Sequence, residues 1–134
     1  MELCILIVED GETVIEDFYE LVFKEYTPFL KFLEETKLKI TTVYAKTFVD
    51  AERLSSQKFD AVFLDNRLPI NSGETPVECG YKLITNFKKN HVLVIGTSSE
   101  SGIKADYDLY LHKSGLNTYE ELFKIIKIIL KNST

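Results

Sequence analysis

The chain has 134 residues, 45% of them hydrophobic and 28% charged, with a formal net charge of −5. These values describe one folded domain with a real core, and they exclude a disordered chain or two full domains. No basic stripe stands out and no apolar run approaches the roughly 20 residues of a membrane span, so neither nucleic-acid binding nor a membrane role is expected.

The run LCILIV, residues 3–8, is short and continuously apolar, which predicts a strand buried on both faces. It is too short, and too acidic at its end, for a secretory leader, so a cytoplasmic protein is expected. Residues 11–36 place Val14, Phe18, Leu21 and Val22 at helical spacing and predict a long first helix, bent or interrupted at Pro28. Residues 39–45, KITTVYA, are rich in β-branched side chains and predict a second strand. A short helix follows, with Thr47 as its cap and Phe48, Ala51 and Leu54 on one face.

FDAVFLD, residues 59–65, is the third predicted strand. The stretch 66–80 holds two prolines and two glycines and reads as a loop. Residues 81–89 are expected to form a helix that turns Leu83, Ile84 and Phe87 inward; a fourth strand is expected over 91–96, with His91 at its entry from the loop, and a fifth over 107–113. Residues 118–131 are a terminal helix with Lys124, Lys127 and Lys131 opposite a broad apolar face. That breadth has two readings: a deeply buried helix, or a homodimer through this helix and the fifth strand. The two cysteines, Cys4 and Cys79, have no metal-binding spacing and read as reduced thiols.

Strands alternating with helices predict an α/β fold: a doubly wound, five-stranded parallel sheet in the order 2-1-3-4-5. In such a sheet a site lies beyond the carboxyl ends of the strands, where the strand order reverses. The first strand ends in Glu9-Asp10, the third in Asp65, the fourth in Thr97-Ser98 and the fifth in Lys113. Each alone has an ordinary reading: an acidic pair complements a helix dipole, Asp65 forms an Asx turn, Thr97 caps, Lys113 is solvated. Together they gather three carboxylates, hydroxyls and an ammonium at one edge. Three carboxylates raise one another's pKa, a conflict that a hard cation such as Mg²⁺ resolves. A carboxylate beside such a cation can take a phosphoryl group, with a hydroxyl and a lysine on the remaining oxygens.

The stretches ILIVEDGE, FDAVFLDNRLP, VLVIGTS and YLHK, in this order at predicted strand ends, resemble a response-regulator receiver domain of two-component signalling. The resemblance covers nearly the whole chain and implies a flavodoxin-like receiver fold. It implies that Asp65 is the phosphorylated aspartate and that Glu9 and Asp10 are the acidic pair, with Asp10 favoured as the direct Mg²⁺ ligand. Arg67 would lend its backbone carbonyl to the metal. Thr97 would follow the phosphoryl group, Ser98 is the small residue after it, and Lys113 would pair with the phosphoryl. Tyr110 falls at the aromatic switch position, while His112 and His91 read as surface and loop residues.

The sequence departs from the family in four places. An inserted loop over 70–79 follows Pro69, extra structure is expected between Glu12 and Lys39, and Ser114 stands where a proline is usual. The fourth crossover has about ten residues, with a glycine and no apolar face, which predicts a shortened or missing fourth helix. The reading is a single receiver domain over residues 1–134, with no output domain, that is not an enzyme. It would take a phosphoryl group from a histidine kinase or phosphotransfer protein and signal to a downstream protein through a changed surface. A pseudo-receiver, an interaction module independent of phosphorylation, is the alternative. A metal-dependent hydrolase is a third reading, against which Arg67 stands where a second acid is expected.

Overall fold

A computed structural model describes residues 1–98, 106–113 and 117–133. Its strands are β1 (Glu2–Val8), β2 (Lys39–Ala45), β3 (Ala61–Asp65), β4 (Arg67–Leu68), β5 (Val77–Glu78), β6 (Leu93–Ser98) and β7 (Leu109–His112). Five of them form a parallel sheet in the order β2-β1-β3-β6-β7. Renumbered over those five strands, that is the expected 2-1-3-4-5, with the reversal between β1 and β3. Aspartates pin two neighbours at the amino edge by the same device. Asp60 exchanges bonds with Cys4, its carboxylate accepting the Cys4 amide at 2.8 Å and its amide donating back to the Cys4 carbonyl at 2.8 Å. Asp108 does the same with Val94, at 2.8 and 2.9 Å.

The first crossover is the elaborate one. Helix α1 (Glu12–Val14) runs through a wider π-helical stretch (Ile15–Glu20) into α2 (Leu21–Glu25). Ile15, Phe18, Tyr19 and Val22 face the core. Pro28 interrupts the helix by sitting in the first turn of a new one, α3 (Thr27–Thr36), where a missing amide costs nothing. This is the extra structure expected before Lys39. Helix α4 (Phe48–Leu54) is capped as expected, the Thr47 hydroxyl accepting the Asp50 amide at 3.1 Å. A 3₁₀ turn (Gly80–Leu83) leads into α5 (Ile84–Lys89), and α6 (Thr118–Asn132) closes the chain.

Two apolar layers sandwich the sheet. One holds Ile5, Ile7, Phe63, Ile95 and Leu111 under the first helix and α6; the other holds Leu6, Val8, Val62, Leu64 and Val94 under α4 and α5. The broad apolar face of α6 is taken up within the chain. Leu122, Ile125, Ile126 and Ile129 are buried, and Phe123 packs edge-on against Phe29 of α3, centroids 5.5 Å apart. Lys127 lies 4.2 Å from the Phe123 centroid, a cation–π contact that covers the ring from solvent. Leu130 is partly buried against the same layer, which leaves Ile128 exposed at 45%.

One expectation is corrected outright. Residues 66–80 are not a loop throughout: β4 and β5 pair as an antiparallel hairpin, Arg67 opposite Glu78 and Leu68 opposite Val77. Strands of two residues carry no readable periodicity; Leu68 of this pair is buried, and the Asn66 carbonyl accepts the Cys79 and Gly80 amides at the hairpin's open end. The fourth helix and the turn after Lys113 concern residues 99–105 and 114–116, which lie outside the described residues.

Candidate functional site

Strand periodicity builds the site. Val8 pairs with Leu64, so the next step sets Glu9 opposite Asp65, and Asp65 pairs with Thr97, which pairs with Leu111. Side chains two apart share a face. Glu9 therefore continues the line of Ile5 and Ile7, Asp65 that of Ala61 and Phe63, Thr97 that of Ile95, and Lys113 that of Leu109 and Leu111. Four of the expected residues thus stand on one face, directly above the apolar layer under the first helix. Glu9, Asp65 and Thr97 are all buried, Thr97 to 1% exposure.

Lys113 reaches back across this row. Its ammonium donates to Glu9 Oε1 at 2.5 Å and to Asp65 Oδ2 at 3.1 Å. Glu9 Oε2 accepts the Gly11 amide at 3.0 Å, and Asp65 Oδ1 accepts the Arg67 amide at 3.4 Å. Burial raises the Glu9 carboxyl above its ordinary range; Lys113 opposes the shift and Asp65 adds to it. Asp65 is raised as well, again chiefly by burial, with Lys113 opposing and Asp10 adding. Burial alone would lower Lys113, but the two carboxylates outweigh it and hold the ammonium protonated. One cation shared by two buried acids leaves the site short of positive charge.

Glu9, Asp10 and Asp65 each offer an oxygen, all within 4.8 Å of one another. The hairpin sets how the Arg67 backbone faces. Asn66 accepts the Cys79 amide at 2.9 Å, which makes 66/79 a hydrogen-bonded pair and 67/78 the next, non-bonded one. The amide and carbonyl of Arg67 then both turn away from β5, and the amide goes to Asp65. The three clustered donors are all carboxylate oxygens, the kind a hard divalent cation takes. A cleft of about 230 Å³ between the first helix and the start of α6 reaches Lys113 from the side.

Other expected residues lie elsewhere. Tyr110 stands opposite Gly96, on the far face of the sheet from Thr97, its ring against Tyr107 and His112. His112 is exposed and His91 sits in a turn with a positive φ of 58°. Both cysteines are free thiols; Cys79, expected in a loop, is buried.

Three neighbours of the site carry no signal in the sequence. Asn66 is buried behind Asp65 and holds the returning chain, its carbonyl on the Cys79 and Gly80 amides and its side chain on the Tyr81 amide at 3.0 Å. Gly80 is pressed so close that a Cβ there would meet the Asp65 carbonyl at 2.1 Å. Tyr107 lays its ring on Gly96, where a Cβ would meet it at 2.6 Å. Burial, then Tyr110 and Asp65, push the Tyr107 phenol up to about 12. Gly80 closes the stretch read as a loop, and nothing in the neighbouring sequence says what its backbone touches.

No family model matches the chain, and no curated protein matches it by sequence. Solved structures do match its fold. The N-terminal domain of a response regulator/sensory box/GGDEF three-domain protein from Carboxydothermus hydrogenoformans superposes with a TM-score of 0.67 at 17% identity, over 97% of this chain and 95% of that one. A putative response regulator from Chloroflexus aurantiacus gives 0.63 at 23%, over 98% and 99%. The Mn²⁺-bound form of response regulator Rcp1 gives 0.62 at 19%, over 95% and 91%. The fold of this chain is that of response-regulator receiver domains. No helix among the described residues is long and apolar enough to cross a membrane.

Proposed function

We propose that residues 1–134 form a single phosphoacceptor receiver domain, acting in the cytoplasm, in which Asp65 takes a phosphoryl group from a histidine kinase or phosphotransfer protein. The observation that carries the reading is the cross-strand row Glu9–Asp65–Thr97 with Lys113 bridging its two acids. In the transfer, the phosphorus–nitrogen bond of a donor phosphohistidine breaks and a phosphorus–oxygen bond to the Asp65 carboxylate forms. The departing imidazole takes up a proton.

Asp65 is held for attack by Lys113 and by the Arg67 amide. As charge builds on the phosphoryl oxygens, the Lys113 ammonium is already within reach of the acceptor carboxylate and can shift onto them. Thr97, the next group along the row, offers its hydroxyl from the other side. Glu9, Asp10, Asp65 and the Arg67 carbonyl would hold Mg²⁺, which when bound neutralises charge on the phosphoryl oxygens. Asp10 is the more exposed of the acidic pair and the one not engaged by Lys113, which suits it to direct ligation. The added phosphoryl charge sits beside the β4–β5 hairpin, and the signal is a changed surface there for a downstream protein.

The test is incubation with acetyl phosphate and Mg²⁺, read by intact mass. Wild type gains one phosphoryl group and Asp65→Asn gains none. No gain in wild type, together with no Mg²⁺ binding that depends on Asp10, would leave the phosphorylation-independent interaction module as the function.

A further inference from the structure

Two buried hydroxyls, one in the acidic row and one beneath it, lack a partner. Tyr19 is fully buried, and neither its hydroxyl nor that of Thr97 has a hydrogen-bond partner among the described residues. A buried hydroxyl left unpaired costs stability, so such groups in a native core call for an explanation.

The fold places them together. Tyr19 comes from the π-helical stretch of the first helix, a local widening that recurs where a helix serves a site. Its ring lies edge-on to Phe63, centroids 5.7 Å apart, in the layer directly beneath Asp65. The phenol rises from there toward the row. Burial drives its pKa well above the ordinary value, Glu9 and Asp65 add to the rise, and the Thr97 hydroxyl is near enough to oppose it. As placed, neither hydroxyl completes a hydrogen bond, and Thr97 is the side chain that acts on the phenol as a hydrogen-bonding neighbour.

We propose that Tyr19 is a positioning residue for Thr97: the phenol donates its proton to Thr97 Oγ1. A threonine hydroxyl has one proton and two lone pairs. With one lone pair engaged by Tyr19, its own proton is aimed out of the core, toward the oxygens of a group on Asp65. Donation into the threonine oxygen also strengthens the bond its hydrogen makes. The opposite polarity is disfavoured, because a phenol accepting from Thr97 would leave its own proton buried and unpaired. Tyr110 cannot serve in this way, since it lies on the other face of the sheet. The inference rests on the receiver reading for its effect on chemistry, but the pairing itself does not.

Two measurements separate the pairing from the function. The first uses the resting protein without donor: thermal unfolding of wild type, Tyr19→Phe, Thr97→Val and the double variant. Both substitutions remove a hydroxyl at nearly constant volume. If the hydroxyls pair, the shifts in Tm are non-additive, the double variant losing less than the sum; additive shifts overturn the proposal. The second is the rate of phosphoryl uptake from acetyl phosphate with Mg²⁺. Tyr19→Phe should slow uptake about fivefold, the worth of one ordinary hydrogen bond, and should have no further effect in the Thr97→Val background. An equal slowing in both backgrounds would make Tyr19 a general packing residue and overturn its positioning role. If wild type takes up no phosphoryl group, the receiver reading fails while the unfolding cycle still decides the pairing.

Discussion

The two faces of one sheet end differently at the same edge. Under the first helix and α6, the alternating pattern runs from Ile7, Phe63, Ile95 and Leu111 straight into Glu9, Asp65, Thr97 and Lys113. Under α4 and α5, the strands end against fitted shapes: Gly80 on the Asp65 backbone and the Tyr107 ring on Gly96. The first face carries charge and is poised electrostatically. The second is close-packed and fixes where the backbone of Asp65 lies. Chemistry and geometry of one residue, Asp65, are thus set from opposite sides.

Breaking the charged face should have the largest effect. Lys113→Met leaves two buried acids without their cation and should cost about 3–5 kcal/mol of unfolding free energy in urea at neutral pH without Mg²⁺. Adding Asp65→Asn in the same chain should recover part of it. An unchanged midpoint for Lys113→Met would mean that the acids are not paired as described. On the packed face, Gly80→Ala forces backbone to move and should cost about 1–3 kcal/mol, with phosphoryl uptake reduced because Asp65 itself shifts. Gly96→Ala meets only a ring, so combined with Tyr107→Ala it should cost less than the two singly. Additive losses would show that the ring does not depend on that glycine.

A pH series sharpens the contrast. Asp65 and Glu9 have folded-state pKa values raised above their ordinary ones. The folded protein therefore binds protons more readily than the unfolded chain, and stability falls as pH climbs from the ordinary carboxylate range through the raised values. Asp65→Asn should make the metal-free protein more stable than wild type at pH 7, with the gap closing as pH is lowered toward the ordinary carboxylate range. A gap independent of pH would contradict it. The smallest effect is expected away from the edge: Lys127→Gln removes the cation over Phe123 and should cost about 0.5–1 kcal/mol in the same urea assay.

Much of this was legible from local pattern. The strands are legible because five apolar runs are bounded by turn formers, and their order because strands alternate with helices and crossovers are right-handed. Asp65, Glu9, Asp10, Thr97 and Lys113 stand at the carboxyl edge of the sheet because each ends an apolar run. The fourth strand, expected over 91–96, runs as β6 over Leu93–Ser98, because the pairing of the polar Thr97 and Ser98 with Leu111 and His112 leaves no mark in the sequence. Of the four first-helix residues at helical spacing, Phe18 and Val22 are buried and Val14 and Leu21 only half-buried, while Ile15 and Tyr19, which that spacing does not single out, are buried. The terminal helix looked too apolar for one sheet face because its cover, Phe29 of α3, lies far earlier in the chain.

The sequence by itself determined the periodicities, and hence the fold and the residues that end each strand. A period of two is a property of neighbouring residues and needs no partner to be read. The tertiary structure alone decided what meets those residues: the Tyr19 hydroxyl beneath Thr97, the Gly80 backbone against Asp65, the hairpin that turns the Arg67 carbonyl outward. These are contacts between segments distant in the chain, selected by close packing and by the need to pair buried polar groups, and neither condition exists until the layers have come together.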